Sequence, residues 1–140
     1  VNVPNRVSPH DPVKPLYGEP CNGCGLCCVM EQCDLSKAFF GEQHLCPALE
    51  PRRAGGYDCG LITRPGFYGV NPGLGKVASE AFAIVLGAGQ GCDGVASDED
   101  RARAPLFDAD IQPRAEAAYA GASAAARELI DIIAPTRRRT

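Results

Sequence analysis

The residues with the clearest capacity for chemistry are eight cysteines, four of them crowded into one run, Cys21-Asn22-Gly23-Cys24-Gly25-Leu26-Cys27-Cys28. The pattern is C-x-x-C-x-x-C-C. A C-x-x-C step lets two thiolates converge on one metal, because the turn between them points its backbone amides at the sulfurs. Gly23 and Gly25 suit that turn, since glycine takes a positive φ without strain. A second step, from Cys24 to Cys27, can bring a third sulfur to the same centre. Cys28 must then point elsewhere, either to a second site or into the packing below. Cys33, Cys46, Cys59 and Cys92 follow downstream.

Disulfides compete with metal for these thiols. An even cysteine count in a small protein is compatible with a stapled scaffold. Such scaffolds spread their cysteines, however, and in a reducing cytosol thiols at knuckle spacing are metal ligands. Metal is therefore the favoured reading, and a disulfide-stapled extracellular domain is an alternative. Zinc takes four tetrahedral ligands, so eight cysteines could fill two closed four-thiolate sites. An iron–sulfur cluster fits as well. Cys21, Cys24 and Cys27 reproduce the C-x-x-C-x-x-C run of bacterial ferredoxins, and Cys46-Pro47 supplies a Cys-Pro like that motif's fourth ligand, though far downstream. The spacing does not choose between zinc and [4Fe-4S]. His44, two residues from Cys46, is a further ligand candidate whose simpler reading is a surface imidazole. His10-Asp11 reads as solvated.

Composition bounds the rest. The chain has 140 residues, of which 45% are apolar, with no Trp, five Phe and four Tyr. That length is one domain. With 16 Gly and 12 Pro, much of it should be turns and irregular structure that needs a metal or disulfide staple. A net charge of −3 gives no global electrostatic case for nucleic acid. The longest apolar run, Ala81 to Leu86, is far short of a membrane span, and no charged-then-apolar leader pattern opens the sequence. A soluble, cytoplasmic protein is expected.

Residues 1–20 hold five prolines, Pro4, Pro9, Pro12, Pro15 and Pro20, and no periodic apolar face. They read as an extended arm, lying across the body or docked on a partner. Asp34 to Gly41 reads as a short turn or helical turn anchored by Phe39 and Phe40. Gly55-Gly56 marks a hairpin, with Tyr57 to Ile62 as the returning strand. Gly69 to Lys76 resembles a phosphate loop, but the spacing is one residue too long and Val77 stands where Ser or Thr should be. From Lys76 to Leu86 the apolar residues recur at helical spacing, and the helix should stop at Gly87. Gly89 to Gly94 matches G-x-G-x-x-G without the βαβ unit that a dinucleotide fold requires. Its glycines are expected instead to bring Cys92 back to the metal region. Residues 96–112 read as a charged connector broken by Pro105 and Pro113, with Asp98, Glu99 and Asp100 solvated. Pro113 then opens a final helix over Arg114 to Ala134. Arg137, Arg138 and Arg139 follow where cations favour a helix C-terminus.

Taken together, Cys21 to Cys28, Cys33, Cys46-Pro47-Ala48-Leu49, Tyr57-Asp58-Cys59-Gly60-Leu61, Arg64-Pro65 and Gly91-Cys92 resemble the CxxCxxCC family, the YkgJ-type cysteine-cluster proteins described as zinc- or iron-chelating. The resemblance spans roughly residues 20 to 95. It implies a cysteine-bound metal, with Cys21, Cys24, Cys27 or Cys28, Cys46, Cys59 and Cys92 among the ligands. Many members carry a further cysteine soon after the Arg-Pro. Phe67 and Tyr68 occupy that region here, which counts against a full second site. The resemblance names a metal site and no reaction.

The expectation is thus a small, irregular α-rich domain with a minor β component, nucleated by metal. It has a Cys-rich knuckle, a short hairpin and two main helices. Its segments are the arm 1–20, the cysteine domain 21–95, the connector 96–112 and the final helix with its basic tail, 113–140. The function expected is that of an accessory or binding module carrying a structural or redox-capable zinc or [4Fe-4S] centre. An iron–sulfur electron carrier or enzyme is the alternative, although no acid–base pair or nucleophile motif can be read. The partner would be another protein or a second copy, met through the arm or the final helix.

Overall fold

The computed structural model describes residues 6–134, with residues 110–112 described by their backbone alone. Pro4 and the triple arginine Arg137 to Arg139 lie outside the described residues. The chain is helix-rich with one small hairpin. Its elements are α1 (Leu26–Met30), α2 (Asp34–Phe40), β1 (Leu49–Pro51), β2 (Tyr57–Cys59), α3 (Gly60–Thr63), α4 (Gly75–Val85), α5 (Asp98–Ala120) and α6 (Ala124–Ile133). Turns of 3-10 helix at Pro65–Tyr68 and Pro72–Leu74 join α3 to α4. No helix among the described residues is long and apolar enough to cross a membrane.

The core sits on α4. Phe82 and Ala78 turn towards Leu35 of α2, Ala48 and Leu61 of α3. Ala81 turns the other way, against Ala122, Ala126 and Ile130. Because Ala81 and Ala126 are small, α6 lies close along α4. Glu80 fastens this pair by accepting bonds from the Ser123 amide and hydroxyl at 3.1 and 2.7 Å. The carboxylate thereby meets the positive end of α6, where negative charge is favoured.

In three places the backbone differs from the reading of the sequence. The returning strand stops at Cys59 instead of running to Ile62, and the chain coils into α3. That turn drives Leu61 to complete burial, which a continued two-stranded ribbon would not achieve. The connector is helical, since α5 starts at Asp98 and continues through both Pro105 and Pro113. Ser97 caps it by accepting from the Asp100 amide, and Asp98, Glu99 and Asp100 suit its first turn. Each proline deletes one helical hydrogen bond, and both occupy exposed positions where water can serve the freed carbonyl. The final helix, conversely, is not continuous. Gly121 ends α5, and Ser123 caps a new helix by accepting from the Ala126 amide.

Residues 6–20 lie across the body. Asp11 accepts from the Gly56 amide of the hairpin at 2.9 Å. Tyr17 is buried and held from both sides by α5: its amide donates to Asp100 at 2.8 Å and its carbonyl accepts from Arg103 at 2.8 Å. Its hydroxyl donates to Asp108, and that carboxylate pushes the phenol pKa up to about 12. Asp100 is not solvated either. Only 2% exposed, it receives the Lys14 ammonium at 3.0 Å and the amides of Tyr17 and Ala96. A charge so buried persists only when paired and hydrogen-bonded.

Candidate metal centre

The knuckle is built where the sequence placed its glycines. Gly23 and Gly25 have φ of 78° and 75°, in the left-handed region. There is also no room for a side chain: a Cβ on Gly23 would meet the Arg52 guanidinium at 2.5 Å, and one on Gly25 the Tyr57 ring at 2.4 Å. The knuckle thus packs on the hairpin, and the Tyr57 amide donates to the Gly23 carbonyl at 2.7 Å. α1 then carries Cys27 and Cys28.

Backbone amides are aimed at three of the sulfurs. Cys21 Sγ accepts from the Gly23 amide at 3.4 Å. Cys33 Sγ accepts from Ser36 and Cys46 Sγ from Ala48, each at 3.4 Å. Cys24 receives the Leu26 amide, and Cys59 those of Ile62 and Leu61. Such donors favour the charged form of an acceptor. Burial nevertheless pushes the Cys24 and Cys59 thiols up. Cys27 is pulled well below the usual thiol range because the Cys28 thiol donates to its sulfur, and the same contact drives Cys28 upward.

The cysteines fall into two neighbourhoods. Cys24 is buried, and the sulfurs that act on it are those of Cys27, Cys92 and Cys21. Cys27 Cβ and Cys92 Sγ both lie beside Gly94, each 3.9 Å from where a Gly94 side chain would start. Cys92 reaches this place through two bonds of 2.7 Å with the arm, Gly18 amide to Cys92 carbonyl and Cys92 amide to Glu19 carbonyl. Cys21 and Cys27 are exposed, and a cavity of about 260 Å³ opens beside Cys21, bordered by Gln90, Gly91 and Arg114.

The second neighbourhood holds the other four. Besides Cys27, the sulfurs acting on Cys28 are those of Cys59 and Cys33, and those acting on Cys59 are Cys46 and Cys33. Cys33, Cys46 and Cys59 all pack against the core cluster of Leu35, Ala48, Leu61 and Phe82. Ser36, fully buried, joins two of them: its amide donates to Cys33 and its hydroxyl to Cys46 at 3.0 Å. His44 is exposed and stands apart. Among the described residues no three His, Cys, Asp or Glu side chains meet about one point as they lie. The thiols are therefore grouped as neighbours and not as a closed shell.

Chemically, both sets offer soft sulfur donors, the kind that zinc and iron–sulfur clusters take, with amides placed to stabilise thiolate. The donor set fits the group expected from the sequence. Two features were not legible there. Cys33 had no assigned role, although a cysteine just before Asp34, with Ser36 three residues on, has the layout of a helix cap. A polar cluster of Glu50, Tyr68 and Arg64 was also missed. Tyr68 donates to Glu50, as does Arg64 at 2.8 Å, and Tyr68 acts first in holding that carboxyl low. These residues are far apart in sequence and carry no motif.

No family model, no curated protein and no solved structure matches this chain.

Proposed function

We propose that this chain is a cysteine-ligated metal protein that serves as an accessory or binding module. Its principal centre would be held by Cys21, Cys24, Cys27 and Cys92. The observation that carries this reading is the glycine-built knuckle at Cys21 to Cys27, whose Gly23 amide is directed at the Cys21 sulfur at 3.4 Å. Bonds of that kind contribute most where the sulfur is a thiolate, and a thiolate gathered with others needs a cation. The resemblance to the CxxCxxCC family supports the same conclusion and the same ion classes, zinc or [4Fe-4S]. When bound, the group would supply a fold staple or a one-electron redox centre.

The chain's own residues decide what surrounds it. Cys24 and Leu26 form a buried floor with Ala96, while the exposed Cys21 and Cys27 leave one side open. That open side is the observation favouring the alternative, an iron–sulfur carrier exchanging electrons through an exposed edge. The partner contact belongs on α5 and α6, where Leu106 and Ile132 stand clear of the body, because Lys14 and Tyr17 of the arm are turned inward. The thiols imply the cytoplasm, where they stay reduced.

Elemental analysis and a visible spectrum on protein purified without oxygen test this. Zinc without colour, or iron with sulfide and a broad visible band, is the expected result. Metal-free protein with an unchanged cooperative melt would sink it.

A further inference from the structure

We infer that the cavity between the arm, the glycine loop and α5 binds a small hydroxycarboxylate, an anion with a hydroxyl next to its carboxylate. This goes beyond the metal centre and does not depend on it, because none of the groups that carry it belongs to a cysteine. The cavity has a volume of about 260 Å³ and is bordered by Gly18 of the arm, by Cys21, by Gly89 to Gly91 and by Arg114 of α5. Pockets for drug-sized ligands run from roughly 300 to 1,000 Å³, so this one suits a small acid and not a nucleotide.

Three observations set the chemistry of the occupant. The first is charge. Arg114 is the one charged side chain bordering the cavity, and no Asp or Glu stands with it. Its guanidinium donates to the Gln90 carbonyl at 3.1 Å and meets no carboxylate among the described residues. A guanidinium carries five N–H donors in a planar fork, which leaves a pair for a bidentate carboxylate. One cation balances one negative charge, which favours a carboxylate over a phosphate dianion. The second observation is an acceptor without a donor. Gln90 Oε1 is buried and accepts no hydrogen bond, the one such side-chain atom among the described residues. A buried oxygen left in that state keeps its desolvation cost until a donor reaches it. A bare carboxylate has no proton to offer, whereas a neighbouring hydroxyl does. Because Arg114 holds the Gln90 main chain, the cation and the orphaned acceptor belong to adjoining parts of one wall. The third observation is that the wall is already built. Gly91 has a φ of 104°, and a Cβ there would meet the Gly18 carbonyl oxygen at 2.8 Å. Two bonds of 2.7 Å, Gly18 amide to Cys92 and Cys92 amide to Glu19, fasten the loop to the arm beside it. The Gly89 and Gly91 amides take no acceptor among the described residues. A preformed wall loses little freedom when a ligand enters.

The test is calorimetric titration of the full chain, as purified, with lactate, propionate and inorganic phosphate. Lactate and propionate share a carbon skeleton and differ by the hydroxyl. Lactate is expected to bind, propionate to bind about fivefold more weakly, and phosphate to leave bound lactate in place. Arg114→Gln should weaken lactate by about tenfold or more. Gln90→Leu should bring lactate down to the affinity of propionate. Metal content, measured on the same samples, should be that of the parent in both variants. A parent that binds no lactate, equal affinities for lactate and propionate, or an Arg114→Gln variant that binds as the parent does would each overturn the inference. Phosphate that displaces lactate would overturn the carboxylate class. Should Gln90→Leu not fold, the lactate-to-propionate ratio and Arg114→Gln decide. A parent without metal that binds lactate sinks the metal reading alone, and a metal-loaded parent that does not bind it sinks this inference alone.

Discussion

Cys21, Cys24, Cys27 and Cys92 belong to the knuckle and to the segment that the arm holds, whereas Cys33, Cys46 and Cys59 hang from elements that share the hydrophobic core. The first set depends on the arm. Cys92 is fixed by its bonds to Gly18 and Glu19, and those residues are fixed by α5 through Tyr17 and the Lys14–Asp100 pair. The second set depends on α2, the hairpin, α3 and, through Phe82, on α4. Metal in the first set would tie the arm down, whereas the second set is already held by the core it packs on. One protein can therefore carry two thiol sets of the same chemistry whose loss has different consequences.

Several measurements break or sharpen that contrast. The largest effect is expected from the second set. Cys59→Ser should lower the stability read from the cooperative melt by about 4 kcal/mol, because it puts a hydroxyl against the core cluster of Leu35, Ala48 and Leu61. Cys21→Ser should leave a cooperative melt at lower temperature. Equal losses from the two variants would erase the distinction.

Next in size is Asp100→Asn, which leaves the buried Lys14 ammonium unpaired. A loss of about 3 kcal/mol or more is expected in urea titrations, with amide exchange rising first in the arm and around Cys92. The wild-type carboxyl adds a pH signature. Burial alone would raise it, but the Ala96 amide, Lys14 and the Tyr17 amide outweigh burial and bring it from 3.8 to about 2. Its folded value is the lower one, so its contribution is complete above about pH 4 and is lost as the pH falls towards 2. Stability that stayed flat over this window in wild type would contradict the pairing.

A smaller change follows from Gly25→Ala. A left-handed φ costs an L-residue roughly 1–2 kcal/mol, and the new methyl would also displace the Tyr57 ring. Weakened metal binding in the first set with the core melt preserved is the expected pattern. Ser36→Ala should cost about 1 kcal/mol through its lost hydrogen bond to Cys46 and should leave metal binding at the knuckle unchanged. Ser123→Ala removes a cap of similar worth and a bond to Glu80, so it should lower the melt without altering metal affinity.

Much of this architecture was legible wherever neighbours in sequence decide the outcome. The knuckle, the Gly55-Gly56 turn and α4 up to Gly87 follow from spacing and glycine placement. The misreadings share a cause. Pro105 and Pro113 argue locally for a break, yet α5 tolerates both because its lost bonds face water. Asp98, Glu99 and Asp100 look alike as a solvated run, but Asp100 is turned inward to meet Lys14, 86 residues away. The continuous final helix failed because Ser123 can accept from the Ala126 amide and so start a helix anew.

The sequence by itself determined that thiols would be crowded at Cys21 to Cys28 with a turn suited to metal. It also determined that the chain would be helix-rich with one small hairpin. Only the tertiary structure decided which cysteines are neighbours. Cys92 is held by its bonds to Gly18 and Glu19 of the arm, and Cys33 and Cys59 come against one core cluster that contains Leu35 and Leu61. Spacing governs groups a few bonds apart, where the backbone has few conformations to choose from. The meeting of distant sulfurs is governed by which apolar faces close on one another, and no single stretch of the chain carries that information.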